Sequence, residues 1–372
     1  MASTTTLPAT TESQKTPGSA HGSGDSPGRK RDALLDNAKI LLITLVVIGH
    51  AVEPTDHGRL GSTAYVWIYL FHMPAFVLIC GYLSKSFDGS RHRIDKLLST
   101  VAAPYLIFWT LYAVQAAWAD REVPSGPLEP EWLTWFLVAL FIWRITAPLW
   151  RAVKWPVLVA IAISLVGGLA SMGEVLEISR VLSMLPFFVA GLYLQPRHLE
   201  FLKQPWVRVC AVAALLAALP LTYLYIEPMS REWVYWRESL LDRDFPFLPY
   251  GLPARAVFLL LGFVLTAAVL SLVPRRRMWI TQLGEYTMYV YLLHGLVVRL
   301  AEQHGWYAFT DDLLGNRGAW VLNASLAVVL VFVLSLPWIR AATRWAVEPN
   351  LDWLLRRRTS VDSRELAPAG SR

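Results

Sequence analysis

Three histidines within long apolar segments are the residues of this sequence best suited to chemistry. His50 ends the run ILLITLVVIGH, His72 lies in YLFHMPAF, and His294 lies in YVYLLHG. Ionisable side chains are costly inside a bilayer and are therefore candidate functional groups there. A hydroxyl that attacks a thioester needs a base with a near-neutral pKa, which a histidine can provide. We therefore expect all three histidines to be catalytic residues.

His50 shares its apolar segment with Lys39 and Asp36. Eleven helical steps of about 100° return within about 20° of the start, so Lys39 and His50 lie on one face of a helix. About 16 Å then separates them along the axis, and Asp36 lies near the same face. We expect Lys39 to hold a donor, His50 to act as general base or as an acyl-carrying nucleophile, and Asp36 to contact substrate. The alternative is a snorkelling lysine with a hydrogen-bonded interfacial histidine.

The three histidines are predicted to lie at one depth. Each is roughly 6–10 Å inside the outer boundary of the membrane, at about 1.5 Å per helical residue. Their common depth predicts a shared cavity, in which His72 and His294 orient the acceptor hydroxyl or stabilise the oxyanion. Structural histidines bonded across helices are the alternative. No HxxxH pair is present and no carboxylate is identified beside them, so no metal ion is expected.

Basic residues concentrate near the predicted cytoplasmic ends of the apolar segments. A coenzyme A donor carries phosphates and a nucleotide, which need cationic side chains on the side where the donor binds. The residues expected to bind it are Lys39, Arg91, Arg93, Lys96, Arg275, Arg276 and Arg277. For any one of them alone, the excess of Lys and Arg on cytoplasmic loops is the favoured explanation.

The predicted outer loop 227–251 combines aromatic and charged residues, in the order EPMSREWVYWRESLLDRDFPFLPYG. Aromatic faces with charged groups suit a carbohydrate, so we expect Trp233, Trp236 and Arg237 to bind the acceptor. An amphipathic helix in the membrane interface would have the same composition, and the sequence favours neither alternative.

The elements that must position these residues are membrane helices. Of the 372 residues, 55% are hydrophobic and 17% are charged, against about 25% charged residues in soluble domains. The sequence predicts an all-α, polytopic integral membrane protein with about ten transmembrane helices. The expected spans are 37–54, 65–83, 97–118, 132–150, 155–172, 179–194, 207–226, 252–273, 281–300 and 319–339.

Loop charges predict one orientation, with both termini in the cytoplasm. Lys and Arg accumulate on alternate loops, as they do on cytoplasmic loops of membrane proteins. The net charge of +6 therefore reflects topology, and no nucleic acid partner is expected. We predict a disordered cytoplasmic tail at 1–30, a transmembrane catalytic domain at 31–347 and a basic cytoplasmic tail at 348–372. The oligomeric state stays open.

Five segments, together with the Lys39-x10-His50 spacing, resemble the acyltransferase-3 family, and within it the fucose 4-O-acetylase-like branch. The resemblance covers roughly residues 31–340, in order. The segments are DNAKILLITLVVIGH with its Lys39-x10-His50 spacing, YLFHMPAFVLICGYL, WFLVALFIWR, RVLSMLPFFVAGLYL and LGEYTMYVYLLHG, the first of them supplying both the opening and the spacing.

This resemblance implies ten membrane helices, an acyl-CoA donor and O-acylation of sugars, polysaccharides, lipid-linked glycans or natural products. The family's basic-residue-x10-His motif maps onto Lys39 and His50. Many members have Arg at the first position, and Lys keeps the charge without the planar fork. Many members also carry a fused extracytoplasmic domain. None is recognised here, so the acceptor determinants are expected in the loops and the membrane cavity.

The sequence thus predicts a multi-pass enzyme of the plasma membrane. It is expected to be an O-acyltransferase, and most simply an O-acetyltransferase, using acetyl-CoA or another acyl-CoA and a hydroxyl of a sugar, glycan or glycosylated product. A transporter or flippase for a glycan or lipid-linked substrate would also have apolar helices around a polar cavity, but would need no acyl donor.

Overall fold

The computed structural model describes Met1 and residues 32–55, 58–169, 173, 175–225, 234–237, 239 and 248–354. Throughout this part of the chain the regular structure is helical, which confirms the all-α fold. One compact unit begins at Ala33. The predicted tails at 1–30 and 348–372 lie outside the described residues, apart from Met1 and residues 348–354.

The α-helices alternate with short connections. They are α1 Ala33–Val52, α2 Gly58–Tyr69, α3 His72–Leu83, α4 Arg91–Leu97, α5 Ala103–Trp118, α6 Trp135–Ala152, α7 Pro156–Gly167, α8 Ile178–Tyr193, α9 Pro196–Phe201, α10 Pro205–Tyr225, α11 Leu248–Leu272, α12 Thr287–Gln303, α13 Trp306–Leu334 and α14 Pro337–Val347. A π-helical turn, Leu98–Ala102, joins α4 to α5. Three 3₁₀ segments are Trp132–Thr134, Val175–Glu177 and Trp279–Glu285.

Eight segments of the described chain are long and apolar enough to cross a membrane. The remaining two of the ten predicted spans correspond to shorter helices, α7 with 12 residues and α12 with 17 residues. At about 1.5 Å per residue these are roughly 18 and 26 Å long, against a hydrocarbon core of about 30 Å. The prediction of a polytopic helical membrane protein is confirmed, while the orientation of the termini stays a prediction.

The second predicted span, 65–83, is divided into α2 and α3. The interruption falls at Leu70 and Phe71, just before Pro74. A proline has no N–H, and its ring clashes with the carbonyl four residues earlier, which here belongs to Leu70. The expected disturbance of the helix by Pro74 is therefore present, and it makes His72 the first residue of α3.

The last predicted span, 319–339, differs in its bounds. Helix α13 continues back to Trp306 but has a non-helical residue at Gly315, with φ 66° and ψ 164°. Positive φ is readily adopted by glycine, so the chain can turn there between two helical pieces. The helix ends at Leu334, and Pro337 opens the separate helix α14.

Helix α1 lies at the centre of the packing. It contacts α2, α3, α12, α13 and the segment Trp279–Glu285. Asn37, near its start, is buried and donates to the carbonyls of Pro274 at 2.7 Å and Arg276 at 3.0 Å, while Thr281 donates to its Oδ1 at 2.7 Å. This clamp fixes the basic loop 275–277 two residues from Lys39.

Glycines allow the helices that carry the histidines to approach closely. A Cβ on Gly81 of α3 would lie 2.0 Å from the carbonyl oxygen of Phe188, and one on Gly191 of α8 would lie 2.1 Å from that of Leu78. Small residues let membrane helices pack backbone against backbone. The α3–α8 contact therefore holds α3, and His72 at its start, against the bundle.

Candidate active site

A cavity of about 140 Å³ lies at the end of α1 that carries His50. Its lining combines titratable, aromatic and cationic side chains from α1, α2, α3, α6, α8 and residues 234–237. The members used below are His50, Glu53, Tyr69, His72, Trp132, Trp135, Arg180, Tyr235 and Arg237. The sequence thus predicted correctly that His50 and His72 share a cavity.

His50 is paired with the carboxylate of Glu53. Its Nδ1 lies 3.1 Å from Oε2 of Glu53, three residues later along the chain. An ionised carboxylate only accepts hydrogen bonds, so Nδ1 carries the proton. The lone pair of His50 is therefore on Nε2, where it can accept a proton.

The charge state of Glu53 supports this assignment. Burial raises the pKa of Glu53, while the hydrogen bond from His50, the attraction of His50 whenever it is protonated and the charge of Arg299 lower it, so that the pKa lies below its ordinary value and the carboxylate is ionised. Oε1 of Glu53 also accepts from the hydroxyl of Tyr235 at 3.4 Å, and that hydroxyl bonds to Tyr65. The carboxylate is thus held on both oxygens.

His72 lies on the same cavity and is buried. Its Nδ1 lies 2.9 Å from the carbonyl oxygen of Ile68, which can only accept, so this nitrogen donates. Tyr69 stands between the histidines, with its ring 4.4 Å from His72 and 6.4 Å from His50. The carbonyl of Ile68, near the end of α2, thus orients the imidazole.

His294 contacts His50 but does not line the cavity. The two rings are 5.6 Å apart, and His294 is fully buried. Its Nδ1 donates to the Val290 carbonyl at 2.9 Å, while its Nε2 has no hydrogen-bond partner in the described part of the chain. His72 and His294 therefore both offer a lone pair. This favours orientation of a hydroxyl over oxyanion stabilisation, which needs a donor.

Trp132 packs beside His50 and was not singled out from the sequence. Its ring lies 4.9 Å from the His50 ring, and the Arg299 guanidinium lies over it at 4.1 Å. Gly295 leaves the space, since a Cβ there would lie 2.1 Å from Oη of Tyr112 and 2.9 Å from Trp132. The left-handed φ of 43° at Trp132 directs this ring, and no local pattern indicates it.

The rim of the cavity contains a charged cluster. Glu177 pairs with Arg237 at 3.0 Å and with Arg180 at 3.7 Å, and Arg180 also lies 4.9 Å from the ring of Trp135. Arg237 therefore lines the cavity as the outer-loop prediction requires. Trp236 does not line it, because its side chain is buried against Phe258. Trp233 lies outside the described residues.

At the other end of α1, Lys39 pairs with Asp36 at 2.8 Å. The intact helix α1 keeps the expected spacing between Lys39 and His50. Asp36 lies on the Lys39 side, so the structure does not bring it to the cavity at His50. Its predicted contact with substrate would have to be made with the donor.

A second cavity, of about 160 Å³, brings together Arg93, Lys96 and Arg144. Arg144 donates through Nε to the Ser84 hydroxyl at 3.2 Å. Arg144 was not assigned a role from the sequence, although an arginine within an apolar span was a signal for one.

The other predicted donor-binding residues are more dispersed. Arg91 is exposed and 4.0 Å from Asp95. Arg275 donates to the carbonyl of Leu199 at 2.6 Å. Arg276 and Arg277 are exposed on the loop held by the Asn37 clamp. Among the residues the structure describes, no group of three or more His, Cys, Asp or Glu could hold a metal ion.

Comparison with known families shows which kind of protein contains this site. A family model described as an acyltransferase domain matches residues 32–340. The chain belongs to the acyltransferase-3 family. This membership confirms the family resemblance and the enzyme class, a membrane O-acyltransferase.

Two curated relatives of this acyltransferase carry the same name, nodulation protein NolL. The one from Mesorhizobium japonicum is 26% identical over 377 residues, covering 91% of this chain and 93% of the relative. The one from Sinorhizobium fredii is 27% identical over 346 residues, covering 83% and 91%. No solved structure matches.

Glu53 is the functional residue that sequence reasoning could have found. It lies one helical turn after His50, and residues three apart on a helix are neighbours. Because the sequence interpretation identified no carboxylate beside the histidines, the pair was missed. Tyr69 and Arg180 gave no comparable signal, since their positions on the cavity depend on packing between helices.

Proposed function

We propose that this acyltransferase transfers an acetyl group from acetyl-CoA, or another acyl group from its acyl-CoA, to a hydroxyl of a sugar, glycan or glycosylated product at the plasma membrane. The observation that carries the proposal is the His50–Glu53 pair on a cavity, with the Nδ1 of His50 held by the carboxylate. Such a pair is the arrangement expected of a general base and its orienting group.

The reaction follows from this arrangement. Nε2 of His50 accepts the proton of the acceptor hydroxyl as its oxygen attacks the thioester carbonyl carbon. The resulting tetrahedral oxyanion collapses, the carbon–sulfur bond breaks, and the imidazolium returns its proton to the leaving thiolate. The products are the ester and free CoA, and the carboxylate of Glu53 stabilises the imidazolium between the two steps.

The remaining histidines and the cavity donors have complementary roles. The Nε2 lone pair of His72 accepts a hydrogen bond from the acceptor and thereby orients it. Oxyanion stabilisation falls to the side chains with N–H or O–H groups on the cavity, namely Tyr69, Trp135 and Arg180. His294 helps to position the His50 ring through the contact between the two rings.

In this proposal the phosphates of the donor bind the cations around Lys39, and its thioester lies near His50. Arg93, Lys96 and Arg144 supply positive charge at one cavity, and the predicted topology puts Lys39 at the same, cytoplasmic end of the helices. About 16 Å of helix α1 separates Lys39 from His50, which an extended pantetheine arm would follow. Cationic side chains bind phosphate with charge-assisted hydrogen bonds.

The aromatic lining supports a carbohydrate acceptor. Trp132, Trp135 and Tyr235 offer ring faces, and Arg237 offers donors at the rim. The charges that line or border the cavity are balanced, with Arg180 and Arg237 against Glu53 and Glu177. A neutral polyol is therefore the acceptor that this lining suits.

Donor binding tests the proposal. Purified protein titrated with acetyl-CoA is expected to bind it, Lys39→Ala is expected to weaken binding, and Lys39→Arg is expected to restore most of it because the charge returns. The matched control is Lys154→Ala, on the connection between α6 and α7. Folded protein that does not bind acetyl-CoA at millimolar concentration would contradict the donor assignment. If acetyl-CoA binds, mass spectrometry of glycans from a deletion strain would identify the acceptor.

A further inference from the structure

A groove separate from the active site lies between α3, α7, α8, α9 and α11. It has a volume of about 380 Å³ and an almost entirely apolar lining. The side chains that form its floor and walls include Leu78, Ala190, Phe201, Phe263, Thr266 and Ala267. This volume falls within the range of small-molecule sites, about 300–1,000 Å³. We call it the α8–α11 groove.

Three side chains with polar groups line this space, and two of them have partners: the Tyr193 hydroxyl donates to the Trp150 carbonyl at 2.8 Å, and Nδ1 of His198 accepts from the Gln195 N–H at 3.1 Å. Thr266 is 1% exposed, and its hydroxyl has no hydrogen-bond partner in the described part of the chain. The hydroxyl of Thr222 on α10 illustrates the usual alternative, since it donates to the Ala218 carbonyl at 2.8 Å. A buried hydroxyl without a partner costs free energy. The groove therefore suits an apolar ligand that also carries a hydrogen-bond acceptor.

Positive charge surrounds one end of the groove. Three cationic side chains contact its α8–α9 wall: Lys85 donates to the Leu194 carbonyl, Arg275 donates to the Leu199 carbonyl at 2.6 Å, and Nε of Arg197 lies 3.4 Å from the ring of His198. The acid of this rim, Glu200, is paired with Lys203. The rim is therefore complementary to an anion.

Aromatic side chains mark the same end as a membrane interface. Phe201, on the groove, lies 5.5 Å from Trp206, and both rings are exposed. Aromatic residues of this kind favour the headgroup level of a bilayer. Under the predicted orientation this end faces the cytoplasmic leaflet, which is the leaflet rich in anionic lipids.

We propose that the α8–α11 groove binds an anionic glycerophospholipid of the cytoplasmic leaflet. One acyl chain fills the apolar space, the ester carbonyl accepts the hydrogen bond of Thr266, and the phosphate lies against the cationic rim. The groove shares no lining residue with the cavity formed by Arg93, Lys96 and Arg144, so it is distinct from the proposed donor site.

Native mass spectrometry of the delipidated, purified chain tests this directly. The probes are dioleoyl-phosphatidylglycerol and dioleoyl-phosphatidylcholine, mixed in equal amounts in detergent. The wild type is expected to retain one phosphatidylglycerol in preference to phosphatidylcholine. Arg197→Gln removes one rim charge and is expected to lower this preference about fivefold, which corresponds to about 1 kcal/mol for one cation near the headgroups.

Two further variants separate the groove from general lipid coating. Thr266→Val and the groove-filling Ala267→Phe are both expected to reduce retention of the lipid, while the control Thr222→Val keeps it, because its hydroxyl is already bonded within α10. Equal retention of the two lipids by the wild type would overturn the proposal. So would wild-type retention by Thr266→Val, a conservative change in which folding can be verified by gel filtration.

Discussion

The carboxylate of Glu53 determines which nitrogen of His50 is available for chemistry. Because Oε2 takes the Nδ1 proton at 3.1 Å, the imidazole presents the lone pair of Nε2. Without the carboxylate, either nitrogen could carry the proton and the ring could rotate. A negative charge one turn away also stabilises the imidazolium that forms when His50 accepts a proton.

Glu53→Gln is expected to lower acyl transfer by about 10²–10⁴-fold, the range for losing an effective general base, because the amide can accept the hydrogen bond but carries no charge. Donor binding is expected to stay unchanged. Rates and acetyl-CoA affinity of the purified variant measure the two effects. Glu131→Gln, next to Trp132 and without contact to His50, is the matched control. Equal rates for the two variants would remove Glu53 from the mechanism.

The positions of some site residues could be predicted from their spacing in the sequence, and those of others could not. The spacing of eleven positions from Lys39 to His50 predicts a common face because both residues lie on one unbroken helix. Placing Trp132 beside His50, and Arg144 beside Arg93 and Lys96, required contacts between segments far apart in sequence. Trp236 was assigned to the acceptor from its type alone, and its burial against Phe258 could not be seen in the sequence.

At the scale of elements, two features of the helices set the site. Helix α1 carries Lys39, His50 and, just past its end, Glu53, so one rigid element spaces the donor end from the base. Helix α3 begins at His72 because Pro74 interrupts the preceding span. The sequence indicated both features. It did not indicate the turn at Gly315, because one glycine in an apolar pattern does not distinguish a bend from a close helix contact.

The α3–α8 contact gives the prediction at this scale. Gly81→Ala would place a Cβ 2.0 Å from the backbone oxygen of Phe188, which cannot rotate away. Overpacking of this kind typically costs about 1–3 kcal/mol, so the midpoint of thermal unfolding in detergent is expected to fall. Gly126→Ala, with open space around it, is expected to leave the midpoint unchanged. Unfolding of Gly81→Ala at the wild-type temperature would contradict the close packing.

For the whole molecule, the apolar pattern was sufficient to predict a polytopic helical protein. Eight predicted spans correspond to helices of adequate length, and the two others to α7 and α12. The family could also be predicted, because five segments and the Lys39-x10-His50 spacing occur in order along the part of the chain that the family model matches.

The orientation of the whole molecule is the third prediction. Lys and Arg on alternate loops place both termini in the cytoplasm. A topology reporter fused after Arg372 and a second one inserted near Asp56 are therefore expected to report opposite sides of the membrane, with the first one inside. If both reporters are found on one side, the orientation is wrong, and the donor cations cannot face cytoplasmic acyl-CoA.

Release of CoA from acetyl-CoA by the purified protein tests the central claim most directly, with water replacing the acceptor hydroxyl. The wild type is expected to release CoA above the protein-free rate. His50→Ala should reduce this release by about 10²–10⁴-fold with unchanged affinity for acetyl-CoA, while His304→Ala, at an exposed histidine, should match the wild type. If His50→Ala kept more than about a tenth of the wild-type rate, well short of that loss, His50 would not be the base.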